Sequence, residues 1–585
     1  MNYTWDLDVL YKGTDSKEFL DDISLLDSVI EEVNTFSATL TRDNEAETIQ
    51  NILKLQIKLV DIEYNLYNYL SLNMSTDTTN STYASLMGQI QNKSAKVAKA
   101  FSIFEHYIAD TEDLETIIES DEFLKEHAYI LRKTKEDASH MLSNDVEEVI
   151  SKLSTDSVSA WSNLQEFLTS TVEVNYRNEI INLPAVRNIA YSEDKDERKD
   201  AYEAELKAYE AIKESIAFSL NSIKGHVNTI CELRGFASPL DQALNANHLS
   251  RKTLDAMFEA IEEYLPKFHA YLRRKGELLG YENGLPWYDL FAPMGKSATS
   301  KYTIEESKEY LLKQFSTFSK DMCDMISDAY DNRWIDFLPR KGKVGGAFCG
   351  GVHSLKQSRI LTNFDGSLSD VVTLAHELGH AYHNLHSFDH SVINDNTPMQ
   401  LAETASTFNE AVVMSNAIKN ATDKDEKLKL VESTISDFTQ VICDIYSRYL
   451  FETEVFEKRN TSFMYGNDLK EIMLNAQKKA YGNGLDHNFL HPYMWVCKGH
   501  YYSTYSFYNY PYAFGALFAR GLYAKYEKEG QAFVEGYQKL LNSTSQMDTE
   551  DVAMMAGIDI TTKDFWCSSL ESMATLIDEF LELTK

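Results

Sequence analysis

The stretch Asp370-Val371-Val372-Thr373-Leu374-Ala375-His376-Glu377-Leu378-Gly379-His380 is where the reading of this chain is decided. On a helix, positions four apart share a face, with Cβ atoms about 5–6 Å apart. His376 and His380 can then turn ring nitrogens toward one tetrahedral zinc ion. Glu377 sits one residue along, adjacent to such an ion rather than on it, where a carboxylate can take a proton from the water that the ion activates. In a chain with 15 histidines, a chance H-E-x-x-H has a probability on the order of a few per cent. The alternative is an ordinary helix carrying two hydrogen-bonded histidines.

Just upstream, Lys343-Val344-Gly345-Gly346-Ala347-Phe348-Cys349-Gly350-Gly351 is the richest glycine cluster in the chain. It is followed by Ser358-Arg359-Ile360-Leu361-Thr362-Asn363-Phe364 and the turn signal Asp365-Gly366. This pattern predicts a small sheet or hairpin, with glycine marking a place where another backbone comes close. A loop tip is the competing reading.

Downstream, two residues compete to be the third ligand. His386 lies six residues after His380, a metzincin-like spacing. That motif needs a glycine at the turn, and this chain has His383 there, which makes the turn costly. The other candidate is Glu403. Thr397-Pro398 reads as the N-cap and first turn of a new helix, which puts Glu403 in the second turn and Glu410 on the same face seven residues later. Glu410 could then fix an imidazole from behind. A helix–loop–helix with two histidines and a glutamate is the better reading. His383, His386 and His390 read as polar or partly buried residues of the same helix.

Further out, the composition predicts a large, mostly α protein. The chain has 585 residues and only nine prolines, none before Pro184, with 24 glycines. So few helix breakers favour long helices. Helical spacing runs over Glu47–Leu72 and Tyr83–Ile108, a hairpin interrupts near 172–181, and a long helix is expected from about Ser192 to Arg234. No internal repeat is visible. A net charge of −34 repels phosphate backbones and speaks against nucleic acid. No apolar run is long enough for a membrane span. The N-terminal residues lack the pattern of a signal peptide. Six single cysteines read as free thiols in a reducing compartment, so the expected location is the cytoplasm.

Late in the chain, Gly499-His500 precedes a tyrosine-dense run that holds Tyr501, Tyr502, Tyr505, Tyr508, Tyr510 and Tyr512. Such clusters are usually core or interface material, and spacing alone does not single this one out.

The chain resembles oligoendopeptidase F, in the family of thimet oligopeptidase. The resemblance rests on Gly346–Cys349, Asn363-Phe364, the block from Asp370 to His383, the block from Ala402 to Glu410 (A-E-T-A-S-T-F-N-E), Gly499-His500 and Phe507–Tyr512. Trp5-Asp6-Leu7 through Leu10-Tyr11 matches the family's opening, so the likeness covers nearly the whole chain. It implies a single zinc held by His376, His380 and Glu403, with Glu377 as general base. It implies that His500 and one or more of Tyr508, Tyr510 and Tyr512 stabilise the transition state or position substrate. Counted ungapped from His500, Tyr512 is the best-placed tyrosine, whereas the family's first tyrosine would fall on Asn509. Gly345, Gly346, Ala347 and Phe348 would pair with the substrate backbone as an added strand.

The implied fold is mainly α, a two-lobed helical ellipsoid with a deep substrate channel and a small β element beside the zinc-binding helix. The expected regions are an N-terminal helical region (1–110), a small oligopeptidase-type lobe segment (111–190) and the catalytic region (191–585). The expected activity is hydrolysis of internal bonds in short peptides, with oligopeptides as partners. A zinc carboxypeptidase or dipeptidase that trims peptide ends is the alternative.

Overall fold

The computed structural model describes residues 3–295 and 301–585. The chain is predominantly helical, as the scarcity of breakers leads one to expect. Its three longest helices are Lys195–Leu233, Glu45–Thr76 and Arg251–Leu278. Each starts on a side-chain cap, from Asp194, Asn44 and Ser250 respectively, which satisfies amides that the first turn leaves without partners. The helical pattern over Tyr83–Ile108 is broken by a short 3-10 turn at Ala95–Val97. Among the described residues, no helix is long and apolar enough to cross a membrane.

Two small sheets interrupt the helices. Strands β1 (Val174–Tyr176) and β2 (Glu179–Ile181) form the antiparallel hairpin expected there. Arg177 and Asn178 both carry positive φ at its two-residue turn, the geometry that suits the strands' twist. The second sheet has the order β3-β5-β4 and is built from Ile335–Asp336 (β3), Phe348–Val352 (β4) and Gln357–Leu361 (β5). Strand β5 is central, parallel to β3 and antiparallel to β4. The second half of the glycine cluster, Phe348 to Gly351, is therefore part of a strand at the sheet edge.

The chain forms two compact units, each assembled from three separated segments. The expected regions with limits at 110 and 190 follow sequence order instead. Residues 1–140, 299–413 and 525–557 make the first unit, which contains the second sheet and the helix Leu368–Ser387. Its core includes Trp5, Phe19, Leu26, Leu59, Leu66, Phe104 and Leu361, all buried. Residues 141–298, 414–524 and 558–585 make the second unit. Tyr209, Leu220, Phe451, Trp495 and Tyr501 belong to its core.

Candidate metal centre and active site

The helix Leu368–Ser387 opens on a capping box. Ser367 Oγ accepts from the Asp370 amide, and Asp370 Oδ2 accepts from the Ser367 amide, so two otherwise unpaired donors are satisfied. Asp370 Oδ2 also accepts from the Asp365 amide, which ties the turn after β5 to the helix start. One turn further, His376 and His380 share a face, with ring centroids 4.9 Å apart.

The face opposite them is built by Glu403, and its setting differs from the expected one. The turn from Met399 to Ala402 is only four residues long, and Glu403 is its C-cap, with the next helix running Thr404–Asn420. Glu403 thus sits at a break between two helical pieces rather than in the second turn of one helix. Glu403 Oε2 lies 3.4 Å from His376 Nε2 and 3.3 Å from His380 Nε2. Ser406 donates to that same carboxylate oxygen at 2.7 Å.

His376 Nδ1 donates to Glu410 Oε1 at 2.6 Å. With that nitrogen protonated, Nε2 turns its lone pair toward Glu403. A ring-nitrogen lone pair facing a carboxylate calls for a cation between them, either a proton or a metal ion. Bonds of about 2.0–2.1 Å to a tetrahedral ion imply ligand separations of roughly 3.3–3.4 Å, which agree with the two observed distances. His376, His380 and Glu403 therefore fit one divalent ion, and their ligand atoms all lie within 4.8 Å of one another.

Electrostatics follows from this crowding. Burial works against the charged form of His376, but the Glu410 hydrogen bond and the charges of Glu410, Glu403 and Glu377 raise its pKa overall. Burial also opposes ionisation of Glu403, yet the His380 hydrogen bond and neighbouring charges bring it down to about 2. Glu377 behaves differently. It is buried, and desolvation raises its pKa, with His376 and His380 offsetting only part of the effect. A carboxylate kept basic beside the ligand pair suits a proton acceptor.

The close approach of Glu403 depends on Gly379. A Cβ there would lie 2.5 Å from the Ala405 carbonyl oxygen and 2.6 Å from Ser406 Cα. The glycine inside H-E-L-G-H thus lets the two backbones touch. Neither this contact nor the Ser406 hydroxyl stood out in the sequence, because both depend on how two segments cross.

The other histidines have different partners. His386 Nε2 faces Asp321 Oδ2 at 3.6 Å. His383 is buried with Nε2 2.8 Å from Thr544 Oγ1, and His390 Nε2 lies 2.8 Å from the Asn542 carbonyl.

Of the four residues expected to pair with substrate, only Phe348 is within β4; Gly345, Gly346 and Ala347 form the approach to it, and Gly346 has φ of +77°. Asn363 Nδ2 holds this approach by donating to the carbonyls of Val344 and Gly346 at 3.0 and 2.8 Å. The Gly351 carbonyl, at the far end of β4, accepts from Asn68 at 3.1 Å. Residues two apart on a strand point their amides the same way, so Cys349 presents its amide on the same outer edge as Gly351. Burial raises the Cys349 thiol pKa, and the Glu377 charge adds to the effect, so the candidate base lies near this strand.

In the second unit, His500 groups with Tyr508 and Tyr512, at centroid distances of 4.7 and 5.8 Å. Tyr510 is set apart from this group. It is fully buried, and its hydroxyl accepts from Asn247 at 3.0 Å. Asn509 is also buried and donates to Glu452, which pairs with Lys224 at 2.7 Å.

A helical protein with two histidines and a glutamate around one ion position, and a basic carboxylate beside them, has the site of a metallopeptidase. Comparison with known proteins agrees. The profile of peptidase family M3 matches residues 188–572, and that of the oligopeptidase F N-terminal region matches residues 109–173. The chain belongs to peptidase family M3. Oligopeptidase PepF of Bacillus subtilis (strain 168) is 25% identical over 99% of this chain and 87% of its own length. An oligoendopeptidase F homolog of Lactococcus lactis subsp. lactis (strain IL1403) is 24% identical over 100% of this chain and 97% of its own length. Among solved structures, a putative peptidase from Chlamydophila abortus aligns with TM-score 0.88 at 20% identity, covering 99% of this chain and 98% of its own. Oligoendopeptidase-F from Enterococcus faecium aligns with TM-score 0.73 at 19% identity, covering 97% and 99%. These two establish the fold.

Proposed function

We propose that this chain is a zinc-dependent oligoendopeptidase that cleaves internal bonds of short peptides in the cytoplasm. The observation that carries the reading is the His376–His380–Glu403 donor set, with Glu377 buried beside it. Zinc is the ion this set of two imidazoles and one carboxylate suits best. When bound, the ion supplies a Lewis acid that polarises the scissile carbonyl and makes water more acidic.

The remaining work falls to the protein. Glu377 takes a proton from the attacking water and returns it to the leaving amine nitrogen, so its raised pKa helps both transfers. Glu410 keeps the proton of His376 on Nδ1, leaving Nε2 free to ligate. The outer edge of β4 at Cys349, with Gly345, Gly346 and Ala347 on its approach, pairs with the substrate backbone as an added strand. His500, Tyr508 and Tyr512 supply neutral donors for the oxyanion, Tyr512 foremost; the burial of Tyr510 removes it from that role.

A ten-residue peptide blocked at both ends tests this reading. Internal cleavage that stops on chelation and returns with zinc is expected. Cleavage only of peptides with a free terminus would make the enzyme a trimmer of ends instead.

A further inference from the structure

The second unit contains a cluster of charge that the proposed mechanism does not use. Its frame is a π-helical turn, Gln440–Asp444, at the head of the helix Ile445–Arg459. Such turns frequently mark functional positions. Asp444 is buried and pairs with Arg448 one turn later. Lys498 approaches from the loop before His500 and interacts with Asp444, Arg448, Cys497 and Arg187 through charge alone. Arg187 has its own partner in Glu205, at 3.5 Å. Three cations therefore meet two carboxylates, and the local balance is one positive charge in excess. This occurs in a chain whose net charge is −34.

The donors nearby are also unsatisfied. Arg448 Nε, Tyr481 Oη, Tyr501 Oη and His500 Nδ1 are buried with no hydrogen-bond partner among the described residues. Tyr481 and Tyr501 are fully buried, and both feel the charges of Arg448 and Asp444. A buried donor without an acceptor is costly, and an anion beside the excess cation would give such groups a partner. Burial also lowers the Lys498 pKa, and Arg448 and Arg187 push the same way, a cost that an anionic partner would relieve. The same two cations, Arg448 and Lys498, reach His500 electrostatically.

We infer that Lys498 and Arg448, with the hydroxyls of Tyr481 and Tyr501, form a subsite beside His500 for a carboxylate of the peptide substrate. This rests on the peptidase reading above, since a peptide is what would bring a carboxylate to His500. The carboxylate can be the C-terminus or an acidic side chain, and the site's chemistry is the same for both.

Calorimetry with the zinc-loaded Glu377→Gln protein decides it, because binding is then read without turnover. The probes are ten-residue peptides of one neutral core, all N-acetylated. One ends in a free acid, one in an amide, and a series of amides carries a single glutamate moved along the C-terminal half. At least one carboxylate-bearing peptide should bind about tenfold tighter than the neutral amide, as a charge-assisted contact gives. Lys498→Met should reduce that preference below about threefold, and Lys498→Arg should restore most of it. Preference for the free acid alone identifies the C-terminus as the ligand, and preference for one glutamate position identifies a side chain. Equal binding of the neutral amide and every carboxylate peptide overturns the inference without any variant. So does a preference that survives Lys498→Met at an unchanged melting temperature. Failure of the wild-type enzyme to cleave any of these peptides would instead count against the peptidase reading, and the binding comparison would stand apart from it.

Discussion

Gly379→Ala should disable the metal centre without touching a ligand. The added Cβ would start 2.5 Å from the Ala405 carbonyl oxygen, and ordinary contact begins near 3.4 Å, so the segment bearing Glu403 must retreat by about 0.9 Å. The obstacle is backbone on both sides, so no side-chain rotation relieves it. A metal site tolerates ligand displacements of only about 0.2 Å, and Glu403 Oε2 presently sits 3.3–3.4 Å from both imidazoles. Overpacking of this kind costs about 1–3 kcal/mol. If that strain falls on the metal-bound state, zinc affinity drops by roughly 10- to 100-fold. Competition against a chromophoric chelator measures the dissociation constant, and thermal melts of the metal-free protein report any general loss of fold. Thr373→Ala, which removes only a hydroxyl donating to the Ser369 carbonyl on the same helix, should leave zinc affinity unchanged. Wild-type zinc affinity in Gly379→Ala would refute the argument that backbone contact at this glycine sets the ligand geometry.

Glu403→Ala should strip zinc from the purified protein, whereas His386→Ala, whose imidazole faces Asp321, should retain one equivalent; metal analysis of both variants checks this. Tyr512→Phe should lower kcat about 10²-fold with little change in KM if its hydroxyl acts on the oxyanion. Tyr510→Phe should instead lower the melting temperature, since it removes the acceptor of a part-buried hydrogen bond from Asn247. Burial holds the His383 imidazole at about 3, below its ordinary 6.5. The unfolded chain therefore binds the extra proton, and stability is lost as pH falls from 6.5 toward 3. Between pH 7 and pH 5 this amounts to about 2 kcal/mol, and urea melts of His383→Gln should show an acid loss smaller by that amount.

The parts of this protein legible in its sequence are those that neighbouring residues determine. Two histidines four apart on a helix must share a face, and Asn178 beside Arg177 suits the tight turn of the β1–β2 hairpin. The helix Lys195–Leu233 is legible for the same reason, whereas the glycine-rich segment reads equally well as a strand or a loop tip. What escaped were features set by the meeting of distant segments. Thr397-Pro398 suggested one continuous helix, but the chain breaks at Glu403, where packing against Gly379 overrides local propensity. The tyrosine run looked uniform in sequence. A positive φ at Phe507 and the Asn509 bond to Glu452 turn Tyr510 into the core and leave Tyr508 and Tyr512 around His500. The assembly of each unit from three separated segments has no local signature.

We propose that Glu377 is the base of a metal-dependent peptide hydrolysis. It is tested most directly by the turnover of a blocked ten-residue peptide by Glu377→Gln carrying one equivalent of zinc, with products followed by mass spectrometry. The amide keeps the shape of the side chain but cannot accept the proton. The account predicts retained zinc and a rate at least about 10²-fold below wild type. Wild-type turnover by the zinc-loaded variant would contradict it.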